Sequence, residues 1–332
     1  MPGQRTSDWA GTTGRVGTGE GAGATEWVGA SERTRATGRA GAGRGPGGWD
    51  AGGRDAGGRG AGGSVLAGAV ARLAAAGVDS PRADAEQLAA HALGVARGAL
   101  VLASWSKDQV ERFDELVGRR AARIPLQYLV GTAGFRHLEL AVGPGVFVPR
   151  PETEAVVEAA LARIAAVARP WVVDLCAGSG AIALAVAHEH AGAEVLAVES
   201  DPGAADWARR NIEAAGLPVR LLVGDVEDAP AEMDGSVDLV VSNPPYIAAG
   251  TTLPPEVARH EPPQALFAGT DGLTALRAVE RVARRLVRPG GSAVVEHGDT
   301  QAQAVAALFA RWDAVTSHRD LAGRDRFVTA RR

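Results

Sequence analysis

Five nearly unbroken apolar runs lie between Trp171 and Gly298: "WVVDLCA", "AEVLAVES", "VRLLVGD", "VDLVVSN" and "GSAVVEHG". A strand with one face in water alternates apolar and polar residues, so runs without alternation must be covered on both faces. The cover is at hand. Stretches with helical spacing, "ETEAVVEAALARIAAV", "GAIALAVAHEHA", "DWARRNIEAAG" and "GLTALRAVERVARRLV", precede or separate the runs. This order predicts an α/β fold, doubly wound around a mostly parallel sheet, over residues 150–332.

The rest of the chain reads differently. Residues 64–124 carry three segments with helical periodicity, "SVLAGAVARLAAAGV", "SPRADAEQLAAHALG" and "DQVERFDELVGRRAARI", and are expected to form a small helical domain. Ser80 before Pro81 has the pattern of an N-cap with proline at the first helical position. Between the two domains, "YLVGTAGFRHLELAVGPGVFVPRP" turns to aromatic and β-branched residues broken by glycine, which predicts a β-hairpin linker over residues 125–149. Residues 1–63 are about one-third glycine, show no period, and are expected to be a disordered tail.

Composition narrows the function classes. A net charge of −4 provides no global attraction to nucleic acid or anionic lipid. The single cysteine, Cys176, excludes an internal disulfide framework and a cysteine-based zinc site. His188 and His190, two apart on a helix, point in different directions and are read as surface residues, so no metal is expected. The cluster Arg119, Arg120 and Arg123 is read as a solvated face. No apolar run reaches the roughly 20 residues that cross a bilayer, and the expectation is a soluble cytoplasmic protein.

In doubly wound sheets, ligands bind beyond the carboxyl ends of the strands. The first run ends there in "DLCAGSGAIAL", with Asp174 followed by Cys176, Ala177, Gly178, Ser179 and Gly180 at the opening of a helix. Such a loop also suits a dinucleotide. Glu199 ends the second run about 20 residues later, where a carboxylate can accept both ribose hydroxyl protons. Asp225 ends the third run, in place to accept from an adenine amino group. Asp174 suits a cofactor with a cationic amino group near the loop, a feature of S-adenosylmethionine and not of NAD.

The fourth run delivers Asn243, Pro244, Pro245 and Tyr246 to the same edge. Pro245 has no N–H and biases Pro244 toward an extended conformation, so the Pro244 carbonyl and the Asn243 side-chain oxygen make two acceptors facing one way. An –NH2 group has two protons to give. Held by them, a planar amide or aromatic amine, otherwise a poor nucleophile, can be aimed at a sulfonium methyl while Tyr246 packs on its plane. The alternative is a proline-terminated strand with a buried tyrosine.

"FVPRPETE" (147–154), "DLCAGSGAIAL" (174–184), "VVSNPPYI" (240–247) and "VEHG" (295–298), with "SPRADAEQL" in the helical region, resemble the release-factor glutamine methyltransferases, the HemK/PrmC family, from about residue 65 to the C-terminus. The resemblance implies an N-terminal helical bundle joined by a hairpin to a Rossmann-like S-adenosylmethionine domain. It also implies methylation of the side-chain amide nitrogen of the glutamine in the Gly-Gly-Gln motif of class 1 peptide chain release factors, in support of translation termination.

On this resemblance, Cys176 to Gly180 are the methionine-side loop, Glu199 holds the ribose, Asp225 and Val226 flank the adenine, and Asn243 to Tyr246 receive the glutamine amide. Three positions depart from the commoner family pattern: Cys176 stands where glycine is usual, Val226 where an aromatic residue often packs on adenine, and Glu199 where aspartate is frequent. The expected enzyme is a monomer with the helical domain as its substrate-recognition element and no direct contact with nucleic acid. Its rivals are a glutamine methyltransferase of a ribosomal protein, an adenine-amino methyltransferase of DNA or RNA, and an idle binding module.

Overall fold

The computed structural model describes residues 58–332. The tail expected over residues 1–63 therefore lies outside the described residues up to position 57. Its last six positions are helical, because α1 (Gly58–Ala75) starts there. A Cβ at Gly62 would stand 2.6 Å from the Trp105 Nε1, so the bare glycine lets this end of the helix approach the indole closely.

With α2 (Pro81–Leu93) and α3 (Lys107–Ala121), α1 encloses a core of Leu73, Leu88, Phe113 and Val117. Ser80 is at the N-cap of α2 with Pro81 at N1, yet its hydroxyl makes no capping bond. Ser106 caps α3 reciprocally with Gln109. The expected hairpin linker opens instead with a short helix, α4 (Leu126–Val130). Pro125 starts it, Gly131 ends it in the left-handed region, and Leu126 and Leu129, three apart, fill the bundle core. The hairpin proper is β1 (Thr132–Phe135) against β2 (Leu138–Ala141).

Then come α5 (Thr153–Ile164), β3 (Trp171–Leu175), α6 (Ala181–Glu189), β4 (Glu194–Glu199), α7 (Pro202–Ala215), β5 (Val219–Val223), β6 (Val237–Ser242), α8 (Pro255–His260), α9 (Thr274–Leu286), β7 (Val287–Glu296), α10 (Ala302–Leu308), β8 (Asp313–Arg319) and β9 (Asp325–Arg331). The sheet order is β5-β4-β3-β6-β7-β9-β8. The five strands from β5 to β7 are parallel, and β9 runs antiparallel to both β7 and β8. Adjacent strand residues serve opposite cores, as a two-residue period requires: Val172 and Leu239 pack with α5 and α6, Val173 and Val240 with α9.

Strand order reverses between β3 and β6, so their carboxyl ends are the topological switch point at which such sheets bind ligands. Register does the rest. Leu175 pairs with Ser242 and with Val198, and Ser242 pairs with Val295. The next residue on each strand is Cys176, Asn243, Glu199 and Glu296, so these four leave the sheet in one row, Glu199–Cys176–Asn243–Glu296.

Candidate active site

A cavity of about 430 Å³ opens over this row. Cys176, Ala177, Gly178, Ser179, Glu199, Asp225 and Val226 line one half, and Asn243, Pro244, Pro245 and Tyr246 the other. Two of the residues expected in the site, Asp174 and Gly180, do not line it. Gly180 (φ 82°) is the N-cap of α6 and has no side chain to cap with. Asp174, fully buried below the loop, supplies the missing acceptor, its Oδ2 taking the Ala183 N–H at 2.9 Å. Burial, reinforced by the charge of Glu199, raises its carboxyl to about 8. The other oxygen, Oδ1, has no partner, so a cationic group brought to the loop would have an acceptor waiting beneath it.

Glu199 is 8% exposed and accepts one backbone N–H on each oxygen, from Gly178 at 2.7 Å and from Asp201 at 2.8 Å. A carboxylate oxygen has two lone-pair sites, so each keeps one for a hydroxyl. Burial raises this carboxyl too. Asp225 starts a single 3-10 turn, Val226–Asp228, and takes the Glu227 N–H. Cys176 has φ 62°, the left-handed region that favours glycine, which explains why a glycine is the easier residue there. Burial pushes its thiol well up, leaving it a packing group rather than a nucleophile. The site thus fits an adenosyl sulfonium ligand: a carboxylate pair of acceptors for a diol, an unpaired buried acceptor for a cation, and room of the size small ligands occupy.

At the other half, Ser242 Oγ donates to the Leu175 carbonyl at 2.6 Å and ties the end of β6 to the end of β3. Asn243 Nδ2 donates to Thr153 Oγ1 at 3.0 Å, which leaves its Oδ1 without a partner among the described residues. Thr153 donates in turn to Glu296 Oε2 at 2.7 Å, and the Tyr246 hydroxyl donates to Glu296 Oε1 at 3.1 Å. Thr153 and Glu296 were not among the residues singled out for a role from sequence, although both lie inside quoted motifs, "FVPRPETE" and "VEHG". Gly272 (φ 71°) is equally constrained: a Cβ there would stand 2.3 Å from the Tyr246 carbonyl.

The segment after Tyr246 turns back over the cavity, with Ile247 and Leu266 paired through the backbone and Leu266, Phe267 and Ala268 on the wall. The same segment carries α8, and its Glu256 is gripped from the helical bundle. Arg120 bonds Glu256 Oε1 at 3.0 Å and Asp84 Oδ2 at 2.7 Å, and Arg123 bonds Glu256 Oε2 at 2.6 Å. The reading of Arg119, Arg120 and Arg123 as a solvated face therefore holds for Arg119 alone, because two carboxylates distant in sequence compensate the other two guanidinium groups as they are buried. His188 is exposed, and no metal-ligand cluster exists among the described residues.

Residues 64–131 match the PrmC N-terminal domain family and residues 139–260 the Methyltransferase small domain family. Among curated proteins, the chain is 51% identical over 264 residues to a release factor glutamine methyltransferase of Mycolicibacterium smegmatis, spanning 77% of this chain and 92% of the relative. It is 52% identical to the protein of that description from Streptomyces coelicolor, spanning 77% and 93%. A 4-amino-L-phenylalanine/4-methylamino-L-phenylalanine methyltransferase of Streptomyces pristinaespiralis is 46% identical over 248 residues, spanning 72% of this chain and 84% of that one.

Proposed function

The chain belongs to the family of release factor glutamine methyltransferases, and on that premise we propose that it methylates the side-chain amide nitrogen of the glutamine in the Gly-Gly-Gln motif of class 1 peptide chain release factors. S-Adenosylmethionine supplies an electrophilic methyl on a positively charged sulfur. In this reading, Cys176 to Gly180 carry the methionine end, Glu199 the ribose hydroxyls, and Asp225 with Val226 the adenine. Asp174 holds the loop from below through α6 and puts a carboxylate under the amino group. Asn243 Oδ1 and the Pro244 carbonyl accept the two protons of the amide, turn its nitrogen toward the methyl, and favour the charge that develops as that nitrogen pyramidalises.

One observation supports this most: the free Oδ1 of Asn243 stands in the same row as Cys176, one strand away from the glycine loop. The helical domain of residues 64–124 recognises the body of the substrate and also grips α8 through Arg120 and Arg123. No helix among the described residues is long and apolar enough to cross a membrane. The reading is completed by a monomer in the cytoplasm that makes no direct contact with nucleic acid.

The test sets substrates side by side. Purified chain and methyl-labelled cofactor are given a class 1 release factor, ribosomal proteins, DNA and RNA, and 4-amino-L-phenylalanine, since a relative is described as acting on that aromatic amine. Label on the release factor, mapped by mass spectrometry to the motif glutamine, is the expected result. Preferential labelling of the amino acid or of nucleic acid would overturn it.

A further inference from the structure

A carboxylate has no proton to give, so both groups bonded to Glu296 must be donors. Thr153 gives its one hydroxyl proton to Oε2, at 2.7 Å, and Tyr246 gives its own to Oε1. Thr153 Oγ1 can then only accept from Asn243, so the asparagine must turn its –NH2 toward Thr153, as its 3.0 Å bond records. The Oδ1 is left for the cavity. An amide rotated by half a turn would set lone pair against lone pair at Thr153 and present –NH2 to an incoming –NH2.

From this chain of donors we propose that Glu296, acting through Thr153 and with Tyr246 as its second arm, is the positioning residue that fixes which end of the Asn243 amide meets the methyl-accepting nitrogen. The proposal rests on the reading of Asn243 as the acceptor's partner. It gives a task to two motif residues that have none in the reading above. Glu296 and Thr153 are 1% and 4% exposed, and burying a carboxylate is costly, so packing alone would be served better by an apolar side chain.

The groups facing Glu296 are Thr153 and Glu152 at the start of α5, Tyr246 beyond β6, and Arg326 on β9, itself paired with Asp320. Burial raises the Glu296 carboxyl to about 7. Below that pH it acquires a proton that it can donate to Thr153, and the constraint on the amide is released. Turnover should therefore rise as pH increases through about 7.

The experiment compares Thr153→Val, Thr153→Ser and Glu296→Gln in the full chain, with turnover on release factor, cofactor affinity by calorimetry and melting temperature measured for each. Thr153→Val is expected to lower kcat about 100-fold, the cost of a misaligned reacting group, with cofactor affinity retained. Thr153→Ser, which keeps the hydroxyl, should recover most of that loss. Glu296→Gln should lose the acidic limb of the kcat profile. Wild-type kcat in Thr153→Val, equal impairment in Thr153→Ser, or an unchanged acidic limb in Glu296→Gln would each overturn the proposal. If Thr153→Val does not fold, the other two variants decide. An Asn243→Ala control separates the failures: if that variant is dead while Thr153→Val is fully active, only the positioning role falls, whereas an active Asn243→Ala removes the acceptor reading itself.

Discussion

The cofactor half of the cavity is held by near neighbours in sequence: Asp174 and Ala183 are 9 residues apart, Gly178 and Glu199 are 21, and Asp201 and Glu199 are 2. In the acceptor half, Asn243 reaches Thr153 across 90 positions, and Thr153 reaches Glu296 across 143. The donors differ as well. Backbone N–H groups do the holding in the first half, and side-chain hydroxyls and an amide in the second. A backbone donor survives substitution of its own side chain; a hydroxyl or amide donor does not. The cofactor half should therefore tolerate changes of residue type in its loop, and the acceptor half should not.

Arg120→Ala attacks another long-range contact, the grip on α8, in which Arg120 reaches Glu256 across 136 positions. It leaves Asp84 buried without its cation and Glu256 with only Arg123, and breaking such a pair typically costs about 3 to 5 kcal/mol. Chemical denaturation should show a loss of that order, and a loss below about 1 kcal/mol, the worth of a surface pair, would mean the grip on α8 is incidental. Asn243→Ala should lower turnover about 100- to 1,000-fold with cofactor affinity retained, as removal of one preorganised partner does. A variant that lost affinity instead would erase the division between the halves.

Glu199→Ala tests the side chain that offers the cofactor half its acceptors for the ribose hydroxyls. Each hydrogen bond to a charged group is worth about 1.5 to 3 kcal/mol, so S-adenosylmethionine affinity should fall sharply, while kcat at saturating cofactor falls less. Unchanged affinity by calorimetry would reassign the carboxylate to holding Gly178 and Asp201 alone. The smallest effect is expected from Cys176→Gly, which relieves a left-handed side chain worth about 1 to 2 kcal/mol and gives part of it back in chain entropy. A rise in melting temperature with kcat little changed is the expected outcome.

The same contrast decides what could be read from the sequence. Strand runs, the glycine loop, Glu199 and the Asn243–Tyr246 corner are contiguous signals, and all eleven cavity-lining residues given above, Asp225 and Val226 included, lie at or just beyond strand ends that spacing or the family resemblance marks without any contact in view. What spacing could not carry is pairing between distant segments. Nothing local marks Glu296 as facing Thr153, or Glu256 as the partner of Arg120 and Arg123. Asp174 lies beneath the loop and not on the cavity wall for a related reason, since a residue at a strand end can point beneath the loop as well as into the ligand space. The β8 and β9 hairpin escaped because β8 is mostly exposed, and "DAVTSHR" shows no apolar run.

Strand β9 lies inside the sheet, between β7 and β8, yet late in the chain. A ribosome delivers the amino end first, and domains fold as they emerge. The helical bundle, the glycine loop and the Asn243 corner are all synthesised before β7 acquires its second neighbour. Until Asp325–Arg331 arrive, Val294 and Val295 lie on an open edge, and the core lacks Phe327, Val328 and Ala330. A chain halted just short of Asp325 would carry every residue of the cavity named above and still be an unfinished sheet, with a free edge of the kind that pairs with other chains.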